Sequence, residues 1–88
     1  MDYYVSQKGL EKLVELGMMN YAVFETLVKM KADTGEILGP GFVELADEID
    51  IPLADFCGFC DGMLASGLLI EVELAIYDLN PEYFRMDG

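Results

Sequence analysis

The chain has 88 residues, 53% of them hydrophobic, with 17 acidic and five basic residues, no histidine and a net charge of −12. That is one small domain, residues 1–88, near the lower size at which a single core suffices and too apolar for a disordered acidic tail. The charge disfavours nucleic acid and anionic membrane as partners and favours basic ones. No stretch reaches the roughly 18 continuous apolar residues of a membrane span. The acidic start Met1-Asp2 lacks the basic head and apolar run of a signal peptide, so a cytoplasmic protein is expected.

In chain order, Ser6 is placed to cap a helix from Gln7 to Leu16, with Leu10, Leu13, Val14 and Leu16 as its apolar face and Gly17 as its end. Asn20 is a suitable cap for a second helix, Tyr21 to about Lys31. Its stripe is Val23, Phe24, Leu27, Val28 and Met30, and Glu25 and Lys29 are spaced to pair. The turn-forming run Ala32 to Gly41 leaves room for a short strand at Glu36 to Leu38. Phe42, Leu45, Ala46 and Ile49 then recur at helical spacing, with Glu44, Asp47, Glu48 and Asp50 on the other side and Pro52 as a stop. A further helix runs from Leu53 to Ser66 with Phe56, Phe59 or Cys60, Met63 and Leu64 inward, ended by Gly67. Strands over Leu68–Val72 and Ala75–Leu79 form a short hairpin with Glu73 and Leu74 at its tip. The fold class is therefore mainly α with a small β-hairpin (α+β), about four helices and a two- or three-stranded antiparallel sheet.

This order, with Leu10-Glu11-Lys12-Leu13-Val14-Glu15-Leu16, Phe42 to Ile51, Ala65-Ser66-Gly67-Leu68-Leu69 and Tyr77-Asp78-Leu79-Asn80-Pro81, resembles the winged helix-turn-helix replication initiators of Gram-positive plasmids. The resemblance implies a winged-helix fold over nearly the whole chain. Families of this kind place Ser, Thr, Arg and Lys on the outer face of the second helix of the motif, against bases and phosphates. Here Pro52, Leu53, Ala54, Asp55, Gly58, Asp61 and Gly62 stand there. Between Ala32 and Phe84 there are twelve acidic residues and no Lys, Arg or His. Each missing phosphate contact removes counterion-release affinity, so direct DNA binding is not expected.

Cys57-Gly58-Phe59-Cys60 has the spacing of a thiol-disulfide motif, but it lies inside a helix preceded by another helix rather than after a strand. Reduced, structural thiols are expected. Without histidine, neither a Ser-His nor a Cys-His nucleophile can be assembled, and a zinc site would need carboxylates such as Asp55 or Asp61 beside the two thiols. No enzyme activity, cofactor or metal is expected.

Gly58 and Gly62 lie four apart on the second helix of the motif, with Ala54 and Ala65 extending the smooth surface. Each glycine costs about 1 kcal/mol of helix propensity, which calls for a compensating close contact within the chain or across an interface. Leu53 is the candidate apolar anchor beside it. The partner-binding residues expected are Glu44, Asp47, Glu48, Asp50, Leu53, Asp55, Gly58, Asp61, Gly62, Glu71 and Glu73. The function expected is an acidic protein-protein interaction module: a phage- or plasmid-type inhibitor that blocks a nucleic-acid-binding protein, as DNA mimics and many anti-CRISPR proteins do. The alternative is a DNA-binding regulator or replication initiator using Lys8, Lys12, Lys29 and Lys31. A third reading is a homodimeric structural adaptor joined by the N-terminal helix or the glycine face.

Overall fold

Among the described residues, four α-helices, a three-stranded antiparallel sheet and a two-stranded ribbon build an α+β fold. The computed structural model describes residues 2–87, apart from the side chains of residues 2, 18–20 and 87. In order the elements are β1 (Asp2–Val5), α1 (Gln7–Leu16), α2 (Met18–Thr34), β2 (Ile37–Leu38), a 3-10 turn (Gly39–Gly41), α3 (Phe42–Glu48), α4 (Leu53–Ser66), β3 (Leu69–Glu73), β4 (Ile76–Leu79) and β5 (Phe84–Asp87). No described helix is long and apolar enough to cross a membrane.

Helix α1 begins as its sequence requires: the Ser6 hydroxyl accepts the Gly9 N–H at 3.0 Å, satisfying one of the orphan donors of the first turn. Its inward face differs from the expected one. Gly9 and Leu13 are buried and Leu16 is half-buried, whereas Leu10 and Val14 are exposed. The cause is Gly9, which is pressed against the terminal ribbon so closely that a Cβ there would lie 2.8 Å from Val5 Cγ1 and 3.2 Å from the Tyr83 carbonyl oxygen. That contact turns the helix until the 9, 13, 16 stripe faces inward.

Helix α2 starts at Met18, directly after Gly17, so Asn20 falls within its first turn instead of capping it; the Asn20 side chain lies outside the described residues. Val23, Phe24, Leu27 and Val28 are buried along it. The hydroxyl of Thr26, also buried, donates to the Ala22 carbonyl at 2.9 Å, which spares it an unpaired state. The spaced pair Glu25 and Lys29 makes no ion pair. Among the described residues the ion pair is instead between Lys31 and Asp78, and it ties the end of α2 to β4.

Helix α3 stops at Glu48, before Pro52 could stop it, because the chain turns through Asp50 at φ +57. Pro52 instead opens α4, its carbonyl accepting the N–H groups of Asp55 and Phe56 at 3.0 and 3.1 Å. Phe56, Cys60 and Met63 are the buried positions of α4, so Cys60 rather than Phe59 fills the inner place. Gly67, at φ +83, donates to the Leu64 carbonyl while Leu68 donates to that of Met63. This is a Schellman ending, which a residue with a Cβ would strain.

The larger sheet runs β2-β4-β3, all antiparallel. Leu69 pairs with Leu79 and Glu71 with Tyr77; Glu73 then pairs with Ile76, so Val72 is the extra residue of a bulge. The hairpin tip is therefore Leu74-Ala75, one residue beyond the expected tip, with Ala75 in the left-handed region at φ +59. The ribbon of β1 with β5, which pairs Tyr3 with Met86 and Val5 with Phe84, was not expected. Phe84 joins it to the core by stacking on Tyr3 at 5.7 Å and meeting Phe24 edge-on at 5.8 Å. Under the sheet, Phe42 packs on Phe56 and stacks on Tyr77, at 5.2 and 5.7 Å between ring centres. Each such large side chain, fully buried, contributes roughly 1.5–3 kcal/mol.

Candidate functional site

The burial of Phe42 and Ala46, with Leu45 and Ile49 half-buried beside them, forces the rest of α3 outward: Glu44, Asp47 and Glu48 are all exposed. Asp50 is exposed in the following turn, and Asp55 in the first turn of α4, where the helix dipole favours a carboxylate. Burial of Phe56, Cys60 and Met63 likewise turns Ala54, Gly58, Asp61 and Ala65 outward, a stripe at i, i+4, i+7 and i+11 that carries one charge and little relief. Leu53, at the start of α4, is 42% exposed.

The two glycines of α4 separate. A Cβ on Gly62 would lie 3.4 Å from Leu16 Cδ2, so this position lets α1 pack closely on α4. A Cβ on Gly58 would meet nothing within 4 Å. Gly62 therefore belongs to a contact inside the fold, and Gly58 to open surface.

The β3–β4 hairpin presents Glu71, Val72, Glu73 and Leu74, all exposed. Its tip is held on both sides: the Glu71 carboxylate accepts the Ala75 N–H at 3.2 Å, and the Ala75 carbonyl accepts the Gly39 N–H at 2.8 Å. Glu71 thus has a structural task besides any partner. The tip so fixed displays Leu74 at 92% exposure, well beyond Leu53. Leu74 is at the tip expected from the sequence but is not among the partner-binding residues expected there. The available signal was an apolar residue where turn chemistry favours Gly, Asn or Asp.

Glu44, Asp47, Glu48, Asp50, Asp55, Asp61 and Glu73 take part in no ion pair among the described residues. Three cations do have partners within the chain. Lys31 pairs with Asp78, whose carboxylate also accepts the Leu79 N–H at 2.8 Å. Lys12 lies over the Tyr83 ring, 5.3 Å from its centre, and Arg85 over that of Tyr4 at 4.9 Å. Apart from Asp78, the carboxylates of α3, α4 and the hairpin thus have no ion-pair partner among the described residues, and their field extends over roughly a Debye length, about 8 Å at physiological salt.

Cys57 is half-buried and Cys60 buried, and neither is in a disulfide. Burial, with Cys57 and Asp61 nearby, pushes the Cys60 thiol from an ordinary 9.0 up to about 12. A redox or nucleophilic cysteine needs a shift in the opposite direction. Among the described residues no three Cys, Asp or Glu side chains gather as a metal site. Comparison of the chain with protein-family models, with curated proteins and with solved structures finds no match.

Proposed function

We propose that this chain is an acidic protein-interaction module that occupies the nucleic-acid-binding surface of another protein, in its most specific form a phage- or plasmid-type inhibitor acting in the cytoplasm. One observation carries the reading: α3, α4 and the β3–β4 hairpin present exposed carboxylates without an ion-pair partner and no cation. The order helix, strand, helix, helix, hairpin and the sheet order β2-β4-β3 support a winged helix-turn-helix, in which these same elements would meet DNA.

Carboxylates there substitute for phosphates against Lys and Arg, with charge-assisted and, to Arg, bidentate hydrogen bonds. Asp47, Glu48, Asp55, Asp61 and Glu73 serve as that charge. Leu53 and Leu74 are apolar anchors, and the smooth stripe through Gly58 lets the partner backbone approach. Reduced thiols fit the cytoplasmic setting. A DNA-binding regulator would depend on the four lysines of the N-terminal helices, and two of these, Lys12 and Lys31, are engaged within the chain.

The test is a pair of assays on the purified protein: a low-salt mobility shift on random duplex DNA, and capture from a lysate of the source organism at low and high salt. The expected result is no shift and salt-sensitive capture of a nucleic-acid-binding protein. A clear shift with nothing captured restores the DNA-binding regulator.

A further inference from the structure

Helices α2 and α3 hold between them a cavity of about 200 Å³. Successive turns of α2 bring Thr26, Met30 and Asp33 to it, and one turn of α3 brings Glu44, Leu45 and Glu48. Gly41 lets the two elements approach closely at this point, since a Cβ there would lie 2.5 Å from Met30 Cε. Met30 and Leu45 are half-buried and give the cavity an apolar wall, whereas Asp33, Glu44 and Glu48 are exposed. Both hydroxyls of the lining are engaged within α2: Thr26 donates to the Ala22 carbonyl at 2.9 Å and Thr34 to that of Met30 at 2.8 Å. The three carboxylates and Lys29 therefore set the polarity of the cavity, and none of the four makes an ion pair among the described residues.

We propose that this cavity seats an arginine side chain of the basic partner, an inference that rests on the interaction reading above and adds Asp33 and the α2–α3 cavity to its site. Three negative charges against one positive attract a cation, and they repel nucleic acid, an anionic membrane and the acidic faces of a second copy. A metal ion is not the fitting cation, because among the described residues no three carboxylates gather closely enough to hold one. A guanidinium spreads five donors over a plane, so it can bridge carboxylates that stand apart, while its aliphatic stem packs on Met30 and Leu45. The volume suits one long side chain and falls below the roughly 300 Å³ at which small-molecule sites begin. The arginine comes from a different protein, since the single arginine of this chain, Arg85, lies over the Tyr4 ring. Lys29 opposes the guanidinium and so limits its affinity.

NMR titration of the full chain with Nα-acetyl-arginine amide tests this, with the lysine and citrulline analogues as controls; citrulline keeps the shape of arginine but is neutral. The arginine probe should bind with a dissociation constant in the millimolar range and move the methyl signals of Met30 and Leu45. The lysine analogue should bind less tightly and the citrulline analogue not at all. Glu44→Gln with Glu48→Gln should weaken binding at least about tenfold, and Lys29→Gln should strengthen it. Asp55→Asn with Asp61→Asn, which removes the same charge outside the cavity, should leave binding unchanged. All these side chains are exposed, and circular dichroism checks the fold of each variant. Absence of shifts at Met30 and Leu45, or equal binding of either analogue, overturns the proposal. Equal weakening by the two double variants shows diffuse attraction to the acidic surface and also overturns it, as does weaker binding by Lys29→Gln. The probe is a free amino-acid derivative, so its binding supports the cavity whether or not capture from the lysate succeeds, and failed capture overturns the interaction module alone.

Discussion

Replacing Gly58 by Ala should stabilise the protein, which is not the ordinary outcome of a substitution near a binding face. Glycine in a helix interior costs about 0.8–1 kcal/mol relative to alanine. Position 58 lies in the middle of α4, and the added Cβ would meet no atom within 4 Å, so no clash subtracts from that gain. In a domain of this size each kcal/mol moves the melting temperature by about 4–8 °C, so a rise of that order is expected by thermal circular dichroism. Urea denaturation should show a higher midpoint at unchanged slope. Gly58→Arg should also leave the fold intact while abolishing capture of the basic partner, since it places bulk and positive charge on the smooth stripe. A fall in melting temperature for Gly58→Ala would refute the reasoning, because it would mean that the position is occupied within the fold. Undiminished capture by Gly58→Arg would remove the stripe from the binding face.

The opposite sign is expected for Gly9→Ala, whose Cβ would crowd Val5 and the Tyr83 carbonyl; a loss of about 1–3 kcal/mol in urea denaturation is expected. Ala75→Gly should gain up to about 1 kcal/mol in the same assay, because the left-handed conformation at φ +59 costs an L residue about 1–2 kcal/mol and part of the relief is returned as unfolded-chain entropy. Lys31→Ala should cost less than about 1 kcal/mol, and less still at high salt, since both members of its pair with Asp78 are partly exposed. Burial raises the Cys60 thiol in the folded state, so its contribution to stability is complete below pH 9 and is lost as pH rises through about 12. A disulfide reagent at pH 8 should accordingly modify Cys60 only at the rate of unfolding, while half-buried Cys57 reacts first; equal rapid labelling of both would contradict this.

Helices α1 and α4 were legible because each carries its own punctuation, Ser6 with its hydroxyl cap and Gly17 for α1 and Gly67 in the left-handed region for α4, with apolar spacing in between; the expected cap of α2 at Asn20 and stop of α3 at Pro52 were not the ones used. The outer acids of α3 followed from the same spacing. What escaped the sequence depends on residues far apart in it. The ribbon joins Tyr3 to Met86, and no local pattern marks a pairing between the two ends of a chain. The inward face of α1 is set by Gly9 meeting Tyr83, so Leu10 and Val14 suggested a core face that tertiary contact assigned to the surface. The pair expected one turn apart, Glu25 with Lys29, does not form, and Lys31 instead finds Asp78 at a separation of 47 residues. On the candidate site, spacing alone could not tell Gly58 from Gly62, since the difference is the position of Leu16. The one-residue shift of the hairpin tip comes from the bulge at Val72.

The most direct test of the central claim is competition. A nucleic-acid-binding protein captured from the source organism is immobilised on labelled duplex DNA and titrated with the purified chain, alone and with Asp55 and Asp61 changed to Asn. If the acidic face takes the place of DNA, the wild-type chain releases the DNA, the double variant does so much less, and added salt suppresses release. Formation of a ternary complex, with the DNA retained and the chain bound beside it, would contradict the account.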